Sequence, residues 1–209
     1  MLTRRHESSR RGPFSSRYTF GILYRIEGLP GYTGDFLRSP TKQFVYAPDE
    51  GSHDMLIQNN LVYRCQDGAL FAHHNHNITA ENNIFAFNRK AQIERGGIGG
   101  FELTCRRNLV YYDEGKAIGD YGSRHEGRDV CAFDHNLYWN ASGKPVFFGS
   151  KSLAEWQAMG QDNDSLIADP LFMDPTKGDF RLRHGSPAAR IGFKPWDLSP
   201  VGPRSVEAK

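Results

Sequence analysis

Four segments of the chain share one frame: "NNLVYR" at 59–64, "NNIFAF" at 82–87, "RNLVYY" at 107–112 and "HNLYWN" at 135–140. Asn holds the second position each time, followed by Leu or Ile and then by Val or an aromatic residue. From Asn60 to Asn83, Asn108 and Asn136 the steps are 23, 25 and 28 residues. A period of this size built on short apolar strands is the mark of a solenoid, because one such lap of chain can bury its apolar side only against the next lap. Leucine-rich repeats have a similar length but require a recurring Leu-x-x-Leu-x-Leu frame, which these segments lack. An all-β parallel β-helix of few coils is the architecture that fits.

In such a fold equivalent positions stack from coil to coil, and an Asn at a turn can bond through its side-chain amide to the Asn above and below. Asn60, Asn83, Asn108 and Asn136 are the expected ladder, with Leu61, Ile84, Leu109 and Leu137 expected to fill the stacked interior behind it. Alternating polarity in "MLIQN", "NITAEN" and "FELTCRRN" predicts strands with one buried face just before each rung. Further on, "SLAEWQAMG" places Glu155 three residues after Ser152 and ends in Gly160, so a short capped helix is predicted over 152–159. Pro and Gly then punctuate two short strands around Leu171 and Phe180. The expected organisation is an N-terminal segment at 1–40 that is a cap or partly disordered, coils over 41–149, and a helix with a C-terminal cap over 150–209 that covers the exposed end of the solenoid. A first coil left open near residue 44 would expose strand edges and favour self-association.

A formal net charge of +2 makes no demand for nucleic acid or an anionic membrane as partner. The opening "MLTRRHESSRRG" has four Arg and no apolar run behind it, so no signal peptide or membrane span is expected in this stretch. Cys65, Cys105 and Cys131 are odd in number and lack C-x-x-C spacing, which predicts buried free thiols rather than a zinc knuckle or a disulfide framework. Sequons at Asn77, Asn140 and Asn163 matter only in a eukaryotic secretory pathway.

The segments "APDEGS" (47–52), "NNLVYR", "NNIFAFNRKAQIER" (82–95), "NLYWNASGKPV" (136–146) and "SLIADPLFMDPTKGDFRLRHGSPAARIGFKPWDLSPVG" (165–202) resemble the C-terminal part of bacterial right-handed parallel β-helix proteins of the pectate-lyase-like superfamily. They look closest to members grouped with carbohydrate-active enzymes, including β-helix glycoside hydrolases, and the resemblance covers about residues 43–202. It implies a right-handed helix, a polysaccharide or oligosaccharide partner and a secreted or periplasmic setting. The chain departs from that pattern in length, since many more coils usually precede the "DEGS" segment.

One sheet of a β-helix usually presents its outward side chains to a groove. Midway between successive Asn rungs lie "FVYAPDEG" (44–51), "ALFAHHNH" (69–76), "AQIER" (91–95) and "AIGDY" (117–121), each ending in polar groups. Stacking at about 4.8 Å per rung would gather Asp49, Glu50, His73, His74, His76, Glu94, Arg95 and Asp120 around one sugar. Glycoside hydrolysis needs two carboxyls about 5–5.5 Å apart for retention or about 6.5–9.5 Å apart for inversion, and adjacent or next-but-one rungs supply either. Asp49 or Glu50 with Glu94 or Asp120 are the candidate acid and base or nucleophile. His74 would tune them or bond substrate, His73, His76 and Arg95 would bind substrate, and Phe71, Tyr121 and Trp139 would offer stacking faces.

Other readings stay open for the same residues. Asp49 and Glu50 precede Gly51 and suit a turn, as do Asp113 and Glu114 before Gly115 and Asp120 in its Gly-rich stretch. Glu94 and Arg95 suit a solvated ion pair, and Tyr63, Tyr111 and Trp139 suit packing. His74 and His76 share a strand face and, with Asp49 or Glu50, match the mixed ligand set of a divalent metal, although no H-E-x-x-H motif is present and no cofactor is required. A polysaccharide lyase would use His74 with Arg95 on a uronic acid, and a non-catalytic carbohydrate-binding coil stack would use none of the carboxyls.

Overall fold

The structure is a computed structural model that describes residues 16–19, 23–25, 53–65, 67–72, 75–95, 102–119 and 130–197. It is a parallel β-solenoid of about four turns with very little helix. Three parallel sheets form its walls. The first contains, in spatial order, β1 (Ser16–Thr19), β3 (His53–Gln58), β6 (His76–Glu81), β9 (Glu102–Arg106) and β12 (Val130–Asp134). The second runs β2 (Leu23–Arg25), β4 (Leu61–Tyr63), β7 (Ile84–Ala86), β10 (Leu109–Tyr112), β13 (Leu137–Asn140) and β14 (Leu166–Ile167). The third is β5 (Leu70–Ala72), β8 (Ala91–Arg95) and β11 (Lys116–Ile118). Two strands of the N-terminal segment thus extend the stack, β1 lying on β3 and β2 on β4, while β5 is an edge strand of the third sheet among the described residues; residue 44, where an open edge is expected, lies outside them.

The Asn ladder forms as the repeat requires. Nδ2 of Asn60, Asn83 and Asn108 donates to Oδ1 of Asn83, Asn108 and Asn136 at 2.9, 3.0 and 3.1 Å. The same three oxygens accept the backbone N–H of the preceding rung at 3.0 Å each. Each rung also donates sideways, from Asn83 to the Ile57 carbonyl, from Asn108 to Ala80 and from Asn136 to Cys105. The Asn side chain therefore satisfies the backbone groups that a sharp turn leaves unpaired, which is what allows the turn to be buried. The residue ahead of each rung, Asn59, Asn82, Arg107 and His135, has a positive φ between 53° and 57°, so the same left-handed step makes every corner.

The sequence expectation for the interior is off by one position. With each rung Asn turned inward, the next residue must point outward, because side chains alternate along a strand. Val62, Phe85, Val110 and Tyr138 accordingly fill the solenoid, packed with Leu70, Ile78, Ile93, Leu103 and Phe133, whereas Leu61, Ile84, Leu109 and Leu137 lie on the outer face. That outer face is buried by the tail. Phe172, Phe180, Ala188, Ile191 and Phe193 complete a second core against it.

The described part of the tail therefore covers a flank of the solenoid. Its hairpin, β15 (Phe172–Asp174) with β16 (Asp179–Leu182), sets Phe180 against Tyr63 and Phe172 against Tyr111 with ring centroids 5.1 and 5.4 Å apart. Farther along, Asn82 clasps the chain at Lys194 through both backbone groups, at 2.7 and 2.8 Å. The two Asn of "ENN" thus divide the work: Asn82 holds the tail and Asn83 holds the ladder. Phe180→Ala should cost about 3 kcal/mol from this second core. Amide exchange over residues 168–197 should accelerate while the rungs stay protected; unchanged exchange there would show that the tail is held by other contacts.

The open end of the coil interior is closed by α1 (Leu153–Gln157). Ser152 caps it through the expected capping box with Glu155, although it ends at Ala158, short of the predicted span. Trp156 stacks on Phe148 at 5.8 Å and meets Phe133 edge-on at 5.7 Å, so its indole lies over the last coil like a plug. Gly115 is needed where it stands, since its φ is +74° and a Cβ there would come within 2.4 Å of the Arg89 carbonyl oxygen. The cysteines are free, with Cys65 and Cys105 buried; burial pushes the Cys65 thiol up to about 12 and that of Cys105 well above its ordinary value. No described helix is long and apolar enough to cross a membrane.

Candidate functional site

Of the residues singled out from sequence, Phe71, His76, Glu94 and Arg95 lie where the third sheet gives way to the first, whereas Trp139 lies on the second sheet. β5 and β6, β8 and β9, and β11 and β12 are the consecutive strand pairs at that boundary. Asp49, Glu50, His73, His74, Asp120 and Tyr121 lie outside the described residues, as does the Arg95 side chain. What can be built is the described flank on either side.

On the third sheet, Ile93 points inward beside Leu70 and Ile118 in adjacent coils, so Glu94 points outward, in register with Phe71. Glu94 is only 7% exposed despite its outward position. Gly119 supplies the room: a Cβ there would lie 2.7 Å from Glu94 Oε1, so the carboxyl lies against bare backbone on the neighbouring rung. Lys90 Nζ faces Oε2 at 3.0 Å. A shielded carboxylate beside a half-buried aromatic ring and a counter-cation faces whatever rests on this part of the sheet. Arg95, the ion-pair partner expected from sequence, has its side chain outside the described residues; Lys90, four residues before Glu94, faces the carboxyl.

On the first sheet, β3 and β6 begin alike. His53 is in register with His76, and the residues that follow, Asp54 and Asn77, have φ of 54° and 50°. Asp54 Oδ2 meets His53 Nδ1 at 2.9 Å while Asp54 Oδ1 accepts from Asn77 Nδ2 at 2.7 Å. The Asn77 backbone N–H in turn donates to Glu102 Oε2 at 3.0 Å, which carries the network to a third rung. Hydrogen bonds from Asn77 and then from His53 hold the Asp54 carboxyl below its ordinary range. His76 is exposed on this face.

Sequence reasoning passed over His53, Asp54, Lys90 and Gly119. The signal for the first was present: His53 to His76 is 23 residues, the same step as Asn60 to Asn83. Glycine as the floor beneath Glu94 had no such signal, because the need for it depends on the register of β8 against the residue after β11. Of the stacking candidates, Phe71 and Trp139 are half-buried, while Tyr63 and Tyr111 pack against the tail.

A separate group, Asp134, His135 and Asp164, brings one ligand atom from each residue within 4.8 Å of the others. Both oxygens of Asp134 are engaged, Oδ1 accepting the Asp164 backbone N–H at 2.9 Å and Oδ2 meeting His135 Nδ1 at 2.8 Å. This arrangement is accounted for as a surface turn. No family model, curated protein or solved structure matches the chain, so its architecture rests on the stacking geometry described above.

Proposed function

We propose that this β-solenoid is a carbohydrate-active protein that hydrolyses glycosidic bonds of a polysaccharide, with Glu94 as one carboxyl of the catalytic pair and Asp49, Glu50 or Asp120 as the other. The observation that carries the reading is the placement of Glu94, outward on β8 yet shielded, with Phe71 in register on the adjacent rung and Gly119 clearing space beside it. A sugar ring laid across rungs about 4.8 Å apart spans two coils, so Phe71 can take its face while Glu94 addresses a bond at its edge. Lys90 gives the carboxylate a counter-charge, which suits the base or nucleophile and leaves proton donation to the partner. The resemblance of the coil and tail segments to β-helix glycoside hydrolases supports the same substrate class.

The test is a screen of the full chain against neutral and uronic-acid polysaccharides that follows reducing ends and the ultraviolet absorbance of unsaturated sugars together, with and without chelator. Reducing ends should appear without the absorbance, and Glu94→Gln should lower turnover by about 10²–10⁴-fold without lowering the melting temperature. An unsaturated product would replace hydrolysis with elimination, for which His74 and Arg95 are the candidates. Saccharide retention without turnover would make the chain a binding module.

A further inference from the structure

We propose that His53 and His76 together chelate a divalent transition-metal ion of the Zn²⁺, Ni²⁺ or Cu²⁺ type through their Nε2 atoms where two neighbouring strands of the first sheet begin. Register pairs the two residues on neighbouring parallel rungs, which sets their backbones about 4.8 Å apart. Each opens its strand, each is exposed, and each is followed by a residue in the left-handed region, so the two backbones bend alike and turn both imidazoles to the same side. Two ligand nitrogens at about 2.0–2.1 Å from a tetrahedral ion lie somewhat closer together than one rung spacing, within reach of small side-chain rotations.

The ring of His53 is already set for this task. Asp54 Oδ2 stands 2.9 Å from Nδ1, and Asp54 itself is fixed by Asn77 from the next rung. A carboxylate acceptor at Nδ1 places the ring proton there and leaves the lone pair on Nε2, the second partner that metal-ligating histidines commonly have. Two imidazoles without an oxygen cage select borderline transition metals over Ca²⁺ or Mg²⁺, and the remaining coordination positions stay open to water or to an external ligand. This inference is independent of the hydrolase reading and needs no turnover to be tested.

Chelator-stripped protein is titrated with Zn²⁺ by calorimetry. The unaltered chain should bind Zn²⁺, His53→Ala and His76→Ala should each weaken binding by about tenfold or more, and Asp54→Asn should weaken it less. The double variant His73→Ala/His74→Ala should retain the affinity. The His53, His76 and Asp54 variants should melt, metal-free, near the unaltered protein, since all three side chains are exposed. Failure of the unaltered chain to bind Zn²⁺, or binding that survives either His53→Ala or His76→Ala, overturns the proposal.

Discussion

Asn108→Ala should destabilise the protein by about 4–5 kcal/mol, a large share of the roughly 5–15 kcal/mol that holds a domain together. Asn108 is fully buried and its amide serves both neighbouring rungs. Oδ1 accepts two N–H groups from Asn83, and Nδ2 donates to Asn136 Oδ1 and to the Ala80 carbonyl. Truncation leaves the Asn83 backbone N–H in the dry interior with its acceptor gone, at about 1–3 kcal/mol, and removes three further bonds worth about 1 kcal/mol each. A drop in melting temperature on the order of 10 °C should follow for a chain of this size. Asn108→Asp separates the two halves of the effect, keeping the acceptor while removing the donor and burying a charge. If Asn108→Ala lies within about 1 kcal/mol of the unaltered protein by denaturant titration, the ladder follows from the stacking and does not maintain it.

The ladder is also the part of the fold that sequence made plain, for a physical reason. Identical chemistry at one point of every lap can be satisfied only if the laps are in register, so four Asn at steps of 23, 25 and 28 define the solenoid and its rungs together. The neighbouring apolar residues carry no comparable instruction. Both Leu61 and Val62 are apolar because both faces of the second sheet are buried, one by the coil and one by the tail, and period-two alternation disappears where both faces are dry. Which of them lies inside follows from the direction of the Asn. The path of the tail was hidden for the same reason: an apolar outer stripe at Leu61, Ile84, Leu109 and Leu137 is the signal for a covering segment, and it reads as interior until the strand direction is fixed. At the candidate site, Glu94 was legible as an outward carboxyl among apolar neighbours. The His53–His76 pair needed only the ladder period applied to a second residue type, while Lys90 and Gly119 needed the three-dimensional register.

Asp162→Ala should match the ladder variant in size, about 4–5 kcal/mol, because it strips the last rung of its acceptor. The fifth rung position holds Ser165 in place of Asn, which accepts the Asn136 N–H at 2.7 Å, and Asp162 takes the place of the amide oxygen for Asn136 Nδ2 at 3.1 Å. Its carboxyl also receives the Tyr138 hydroxyl at 3.0 Å and the Trp156 indole N–H at 2.8 Å. Every group facing it is a donor, so an acceptor-only side chain is what this position requires, and it ties the ladder to the helix that plugs the coil. Removing it leaves the Tyr138 and Trp156 donors orphaned in the core, each at about 1–3 kcal/mol, and loosens the plug. Asp162→Asn tests the charge separately. Burial raises the Asp162 carboxyl above 3.8, against hydrogen bonds from Ser165, Asn136, Trp156 and Tyr138 that lower it. With the folded value above the unfolded one, the stability this titration contributes is fully present below 3.8 and is lost as pH rises through the raised value. The Asn variant lacks that titration but turns an N–H toward one of the donors, an offset present at every pH. Its stability relative to the unaltered protein should therefore improve as pH climbs from 3.8 and level off above the raised value, as followed by denaturant titration of tryptophan fluorescence. A difference that is flat with pH would mean that the four donors cancel the cost of burying the charge, leaving Asp162 with the proton affinity of a solvated carboxylate.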